Sequence, residues 1–161
     1  MPNNRHQQVT LGLAGPQEQA APGLHQWSRT QTIDLTQASG WLRRAVGKIE
    51  EIAALDDNWD GHGSRKVSET AITGAYYLVS ILDQYHSAGY QLPPTYIVPS
   101  RDGGIQVEWN TPTKHLEIEA LSLGGGEFLA TGDDGFDLEG KIDLTNSTAI
   151  CMLANWLNLS H

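Results

Sequence analysis

Ile105-Gln106-Val107-Glu108-Trp109-Asn110-Thr111-Pro112-Thr113-Lys114-His115-Leu116-Glu117-Ile118-Glu119-Ala120 is the stretch whose reading decides the fold. Apolar and polar residues alternate on both sides of Pro112-Thr113, the period-two signature of two half-buried strands. A two-residue turn at Pro112-Thr113 fixes the pairing. Trp109 then faces Leu116, Val107 faces Ile118 and Ile105 faces Ala120, so one face is wholly apolar. The same register sets Glu108 opposite Glu117 and Gln106 opposite Glu119, which gathers carboxylates on the other face.

Working outward, Pro93 and Pro94 forbid a helix and launch an extended stretch, Tyr96-Ile97-Val98, stopped by Pro99. Beyond Ala120, the runs Glu127 to Thr131 and Phe136 to Ile142 read as two further strands. Gly132-Asp133-Asp134-Gly135 joins them as a hairpin loop. Phe136, Leu138 and Ile142 point one way, and Asp137, Glu139 and Lys141 the other. Upstream, Trp41, Leu42, Ala45, Val46, Ile49, Ile52 and Ala53 form one helical stripe capped by Ser39. A second helix runs from the cap Ser68 to about His86, with Ile72, Ala75, Tyr76, Val79 and Leu82 as its buried stripe. Gly74 there permits close packing. A closing helix spans about Ala149 to Leu159.

The expected architecture for residues 31–161 is therefore a single α+β domain. It has two N-terminal helices, a four-stranded antiparallel meander sheet and a C-terminal helix, with the helices on one sheet face. Residues 1–30, rich in Gln, Asn, Ala, Gly and Pro and without sustained periodicity, read as a flexible N-terminal arm. Within it, Val9, Leu11 and Leu13 alternate as a short edge strand would, and Leu24 and Trp27 are candidates to dock on the domain.

The chain has 161 residues, 39% hydrophobic and 18% charged, enough for one core without metal or disulfide. Cys151 is the single cysteine, so no intramolecular disulfide forms. No apolar run reaches the ~18 to 20 residues of a membrane span, and Met1-Pro2-Asn3-Asn4-Arg5 lacks a signal-peptide pattern. The expectation is a soluble cytoplasmic protein. Its charge is uneven: residues 102–143 hold ten acids against Lys114 and Lys141, net −8 of the chain's −9. That sign disfavours direct nucleic-acid and membrane binding and favours a basic protein partner.

Three groups of residues have the composition of a site. Asp56, Asn58 and Asp60 keep the D-x-N-x-D-G spacing of a calcium loop, but its twelfth position is Val67 where a bidentate Glu belongs. The adopted reading of Trp59, Asp60, Gly61, His62 and Gly63 is structural: Asp60 bonds backbone, the glycines take positive φ and Trp59 plugs the core below. Two alternatives stand beside it: weak calcium binding by Asp56, Asn58 and Asp60, and a small hydrolase or transferase with Asp60 and His62 as base and orienter and Arg101, next to Asp102, as an anion clamp, if the Trp59 to Gly63 and Arg101 to Gly104 loops share a pocket. The third group is the sheet face of Gln106, Glu108, Glu117, Glu119, Asp137 and Glu139, read as partner-binding. No catalytic residue, metal set or cofactor motif stands out. The six histidines have no metal-ligand spacing, and Cys151 reads as an inert buried thiol.

Leu55-x-x-Asn58-Trp59-Asp60-Gly61-x-Gly63, combined with Pro99-x-x-Asp102-Gly103-Gly104-Ile105-Gln106-x-Glu108-Trp109, resembles a group of small uncharacterised bacterial and phage proteins. The likeness covers about residues 40 to 157. It implies a compact prokaryotic domain from toxin–antitoxin, phage or defence-related genes, and supplies no catalytic residues. His62 departs from the aromatic expected there. Together these readings point to a non-enzymatic acidic protein that binds, and inhibits, a basic protein partner.

Overall fold

The computed structural model describes residues 8–11, 31–35, 38–90, 92 and 95–158. The chain divides into two units, Met1–Ala38 and Ser39–His161. In the first, strand β1 (Gln8–Leu11) pairs antiparallel with β2 (Gln31–Asp34), Val9 opposite Ile33. The rest of the expected arm, including Leu13, Leu24 and Trp27, lies outside the described residues.

The second unit begins with helices α1 (Gly40–Ala53) and α2 (Glu69–Ser87). Both start where a serine can cap them. Ser39 Oγ accepts from Leu42 N at 3.0 Å, and Ser68 Oγ accepts from Ala71 N at 3.0 Å, each satisfying an otherwise orphaned first-turn donor. Ser68 also donates to the Ser122 carbonyl at 2.9 Å, which ties the start of α2 to a sheet loop. The buried set on α2 is broader than the expected stripe: Ala71, Leu78 and Tyr85 join Ala75, Tyr76, Val79 and Leu82, while Ile72 is only half-buried. The reason is position. α2 packs against α1, α3 and strands β4 and β5, so it is covered on more than one side.

Strands β3 (Thr95–Pro99), β4 (Ile105–Asn110), β5 (Lys114–Ala120), β6 (Gly126–Gly132) and β7 (Asp137–Ile142) follow, and helix α3 (Ser147–Asn158) closes the chain. The α+β class holds, but the sheet has five antiparallel strands in sequence order, not four. The extra member is the Tyr96-Ile97-Val98 stretch, which pairs with β4 from Thr95↔Trp109 to Pro99↔Ile105. Its flanking prolines read as stops, yet Pro99 is tolerated because β3 is an edge strand and Pro99 its last residue.

The decisive hairpin has the expected register, Ile105↔Ala120, Val107↔Ile118 and Trp109↔Leu116. Its turn closes by Thr111 N to the Lys114 carbonyl at 2.8 Å. The other three hairpins share one different device. Ser100 N, Leu121 N and Gly132 N each donate to the carbonyl four residues on (3.0, 3.1 and 2.8 Å), and Gly103 N, Gly124 N and Gly135 N each donate three residues back (3.1, 3.0 and 3.0 Å). Those three glycines have φ of 85°, 98° and 84°. This is the type I turn with a left-handed glycine that matches sheet twist, a place where another residue would be strained.

The core lies between the sheet and the helices. Ile105, Val107, Trp109, Leu116, Ile118 and Ala120 are buried on the helix side, where α2 meets β4 and β5, α1 meets β3 and α3 meets β5. Each large side chain there contributes about 1.5–3 kcal/mol by leaving water. Helix α2 comes close to the sheet at Gly74, where an added Cβ would sit 3.2 Å from Ala120 Cβ and 2.9 Å from Cδ1 of Leu144 in the loop after β7. Two indoles are anchored on one hydroxyl: Trp109 Nε1 and Trp41 Nε1 donate to Thr95 Oγ1 at 2.9 and 3.2 Å. Lys114, 6% exposed, donates to the Trp156 carbonyl in the last turn of α3 at 2.7 Å and lies 5.1 Å from that indole's centroid. There it complements the helix's negative end.

Candidate functional site

Period-two alternation sends the remaining strand residues to the face opposite the helices. Following the pairing across the sheet gives three rows: Tyr96, Glu108, Glu117, Leu129, Glu139; then Val98, Gln106, Glu119, Glu127, Lys141; then Asn110, His115, Thr131, Asp137. All six residues expected on one face, Gln106, Glu108, Glu117, Glu119, Asp137 and Glu139, are therefore together. Glu127 joins them, directly opposite Glu119. Sequence reading missed this neighbour because the Gly124-Gly125-Gly126 connection leaves the β5–β6 register open.

Two like-charged pairs, Glu108↔Glu117 and Glu119↔Glu127, sit at cross-strand distance, where each is destabilising. Partial relief comes from within the face. Gln106 Nε2 donates to Glu117 Oε1, and His115 Nε2, which adds attraction only when the ring is protonated, lies 3.8 Å from Glu117 Oε2. His115 Nδ1 in turn lies 2.7 Å from Asn110 Oδ1. Lys141, exposed, is the one lysine on these rows. Glu117, Glu119, Glu127, Glu139 and Lys141 surround a shallow hollow of about 470 Å³, with half-buried Leu129 on its floor.

The second candidate region forms a corner where the two glycine-rich loops meet. Arg65 N donates to the Arg101 carbonyl at 2.9 Å, and Ser68 N to the Gly103 carbonyl at 3.0 Å. Gly103 is pressed so closely there that a Cβ would lie 2.8 Å from the Lys66 carbonyl oxygen. Asp60 is the hub. Its Oδ1 accepts from His62 N at 2.8 Å and Ser64 N at 3.4 Å, and its Oδ2 lies 3.2 Å from Arg101 Nε. The Asp60 carboxyl is held down to about 2, first by the Ser64 hydroxyl, then by the His62 and Ser64 backbone N–H groups and Arg101, against an opposing effect of burial. Buried Ser64 Oγ faces that carboxylate electrostatically without reaching full hydrogen-bond geometry.

The rest of the loop also turns inward on its own backbone. Asn58, at φ 62°, accepts from Gly63 N at 2.7 Å, and Asp57 accepts from Lys66 N at 2.7 Å. Gly61 and Gly63 take φ of 73° and 86°. Of the three residues with cation-loop spacing, Asn58 and Asp60 are thus spent on backbone N–H groups, while Asp56 is exposed with Lys66 Nζ 3.8 Å away. Among the described residues no group of three or more His, Cys, Asp or Glu is placed to hold a metal ion. A carboxyl near 2 is a weak base at neutral pH, and it is the His62 backbone, not its ring, that Asp60 holds. Neither loop lines the hollow on the acidic face. Asp102 is exposed at the hairpin tip, and Trp59 is half-buried with its Nε1 shielded from solvent. Cys151 is half-buried, and burial pushes its thiol up, away from the thiolate a nucleophile needs.

Among the described residues no helix is long and apolar enough to cross a membrane. No protein-family model, curated protein or solved structure matches the chain.

Proposed function

We propose that this chain is a non-enzymatic interaction protein whose outer sheet face docks a basic protein partner. The observation that carries the reading is the gathering of Glu108, Glu117, Glu119, Glu127, Asp137 and Glu139 on one face against Lys141. Such a field steers cations inward and repels phosphate backbones. Leu129 refines the fit: a Lys or Arg stem from the partner lies on its apolar surface while the cationic head reaches Glu117 and Glu139 on either side. Inhibition of that partner, in the manner of antitoxins or phage anti-defence proteins, and an intracellular setting belong to the same proposal.

The test is capture from bacterial lysate by the wild-type chain and by a variant with Glu108, Glu117 and Glu119 changed to Lys, each first shown to be folded. The expected result is a partner retained by the wild type, released by salt and lost by the variant. Equal recovery by both proteins defeats the proposal.

A further inference from the structure

Strand β7 ends the five-stranded sheet, so one of its edges has no strand beside it in this unit. Under it, between the helix-side face of β6–β7 and α3, lies an apolar groove of about 420 Å³. Large side chains stand exposed along it: Phe136 at 38%, Leu138 at 46% and Met152 at 69%. Among the described residues of this unit nothing covers that edge or the apolar groove beneath it, and such an edge is a template for pairing unless charge or distortion blocks it. The sequence of β7, Asp137-Leu138-Glu139-Gly140-Lys141-Ile142, names the strand that fits.

We propose that β7 pairs antiparallel with β7 of a second copy about a two-fold axis through Gly140, joining two five-stranded sheets into one of ten. In that register Glu139 faces the partner's Lys141, and Lys141 faces the partner's Glu139, on the acidic side. On the helix side Leu138 faces the partner's Ile142, and Ile142 the partner's Leu138. Each pair occurs twice, as an isologous contact requires. Glu139 and Lys141 are both exposed, and neither makes an ion pair among the described residues. Gly140 at the axis lets the backbones approach, and its inner side is filled by Phe128, whose Cε1 would lie 3.3 Å from an added Cβ.

Neighbouring registers are worse. Strand pairing keeps like faces together, so the next allowed choice centres on Glu139. It keeps two opposite-charge pairs, Asp137 with the partner's Lys141, but sets Glu139 against its own copy and opposes Leu138 to Gly140, which forfeits apolar cover. In the proposed register the next charged residue outward is Asp143, beyond the strand end, opposite the partner's Asp137. Its carboxylate is turned onto its own chain, accepting from Thr145 N at 2.9 Å and Thr145 Oγ1 at 2.6 Å. The inference is carried by the strand edge and the groove rather than by the basic partner, although it shares Glu139 with the face proposed to dock that partner.

Sedimentation of the full chain from low to high micromolar concentration tests it. The wild type is expected to pass from monomer to dimer. Lys141→Glu and Glu139→Lys each turn two attractive pairs into two repulsive ones and should weaken the dimer about tenfold or more. The double exchange E139K/K141E re-forms both pairs in this register and should recover dimerisation to within about threefold of wild type. A protein monomeric throughout, a dimer indifferent to both single changes, or a double exchange that stays weak would each overturn the proposal. Amide exchange of β7 supplies a readout without mutation: its protection should rise with protein concentration, and a concentration-independent rate counts against the pairing.

Discussion

Glu108→Lys should make this protein more stable while weakening its grip on a basic partner. Glu108 stands directly opposite Glu117, with Glu119 on the diagonal and the uncharged Tyr96 on its other side. A cross-strand charge pair is worth roughly 0.2–1 kcal/mol of either sign, so exchanging repulsion for attraction swings stability by about 1 kcal/mol. In a domain of this size that raises Tm by about 3 to 6 °C. The choice of Glu108 over Glu117 matters, because Glu117 also receives Gln106 and its loss would confound the measurement. Glu108→Gln removes only the repulsion and should give about half the gain. Thermal unfolding at low ionic strength reads the effect, and at about 1 M salt, where the screening length is about 3 Å, most of it should vanish. A variant that melts lower at low salt, or keeps its full gain at high salt, would refute the idea that these carboxylates are held together against the fold's own preference. A surface arranged that way is the usual sign of function retained at some expense of stability.

Other consequences follow from packing and titration. Gly47→Ala, with no atom within 4 Å of the new Cβ, should stabilise α1 by about 0.5–1 kcal/mol, whereas Gly74→Ala meets Leu144 and Ala120 and should destabilise despite the same helix-propensity gain; urea unfolding of the pair checks the opposite signs. Thr95→Val strands two indole N–H groups, one on the fully buried Trp109, and should cost about 1–3 kcal/mol with a shift in tryptophan emission. Asp60, lowered to about 2 from 3.8, contributes stability that is present above pH 3.8 and lost as pH falls through about 2. Asp60→Asn should therefore melt below the wild type at neutral pH, with the gap closing across that acid window.

What the sequence made legible is what short-range chemistry specifies. Ser39 and Ser68 mark the helix starts because each supplies the oxygen that a first turn lacks, and Pro112-Thr113 fixes the central register because a two-residue turn allows one pairing. Strand β3 was readable as extended backbone but not as a sheet member, since its prolines speak only of local geometry. The partner that accepts Tyr96-Ile97-Val98 is chosen ten residues or so downstream. On the face, parity along each strand was enough to align Glu108, Glu117 and Glu119, while Glu127 needed the β5–β6 register that Gly124-Gly125-Gly126 conceals. Lys114 shows the same limit: it counts as surface charge in any sum over the sequence, yet the residue is buried and its ammonium donates to the Trp156 carbonyl on the helix side of the sheet. The loop at Asp60 was legible as a structural element from its glycines, but its union with Arg101 arises only when the β3–β4 hairpin folds back onto it.

The glycine turns that close three of the four hairpins carry a practical consequence. Each is closed by the same pair of main-chain bonds, to which Ser100 and Asp134 add side-chain bonds inside their own loops, so the turns do not depend on the strand side chains that project from the acidic side. Those positions are free to be randomised as a set, as in a display library, and new specificities could be selected on a framework that continues to fold the same way.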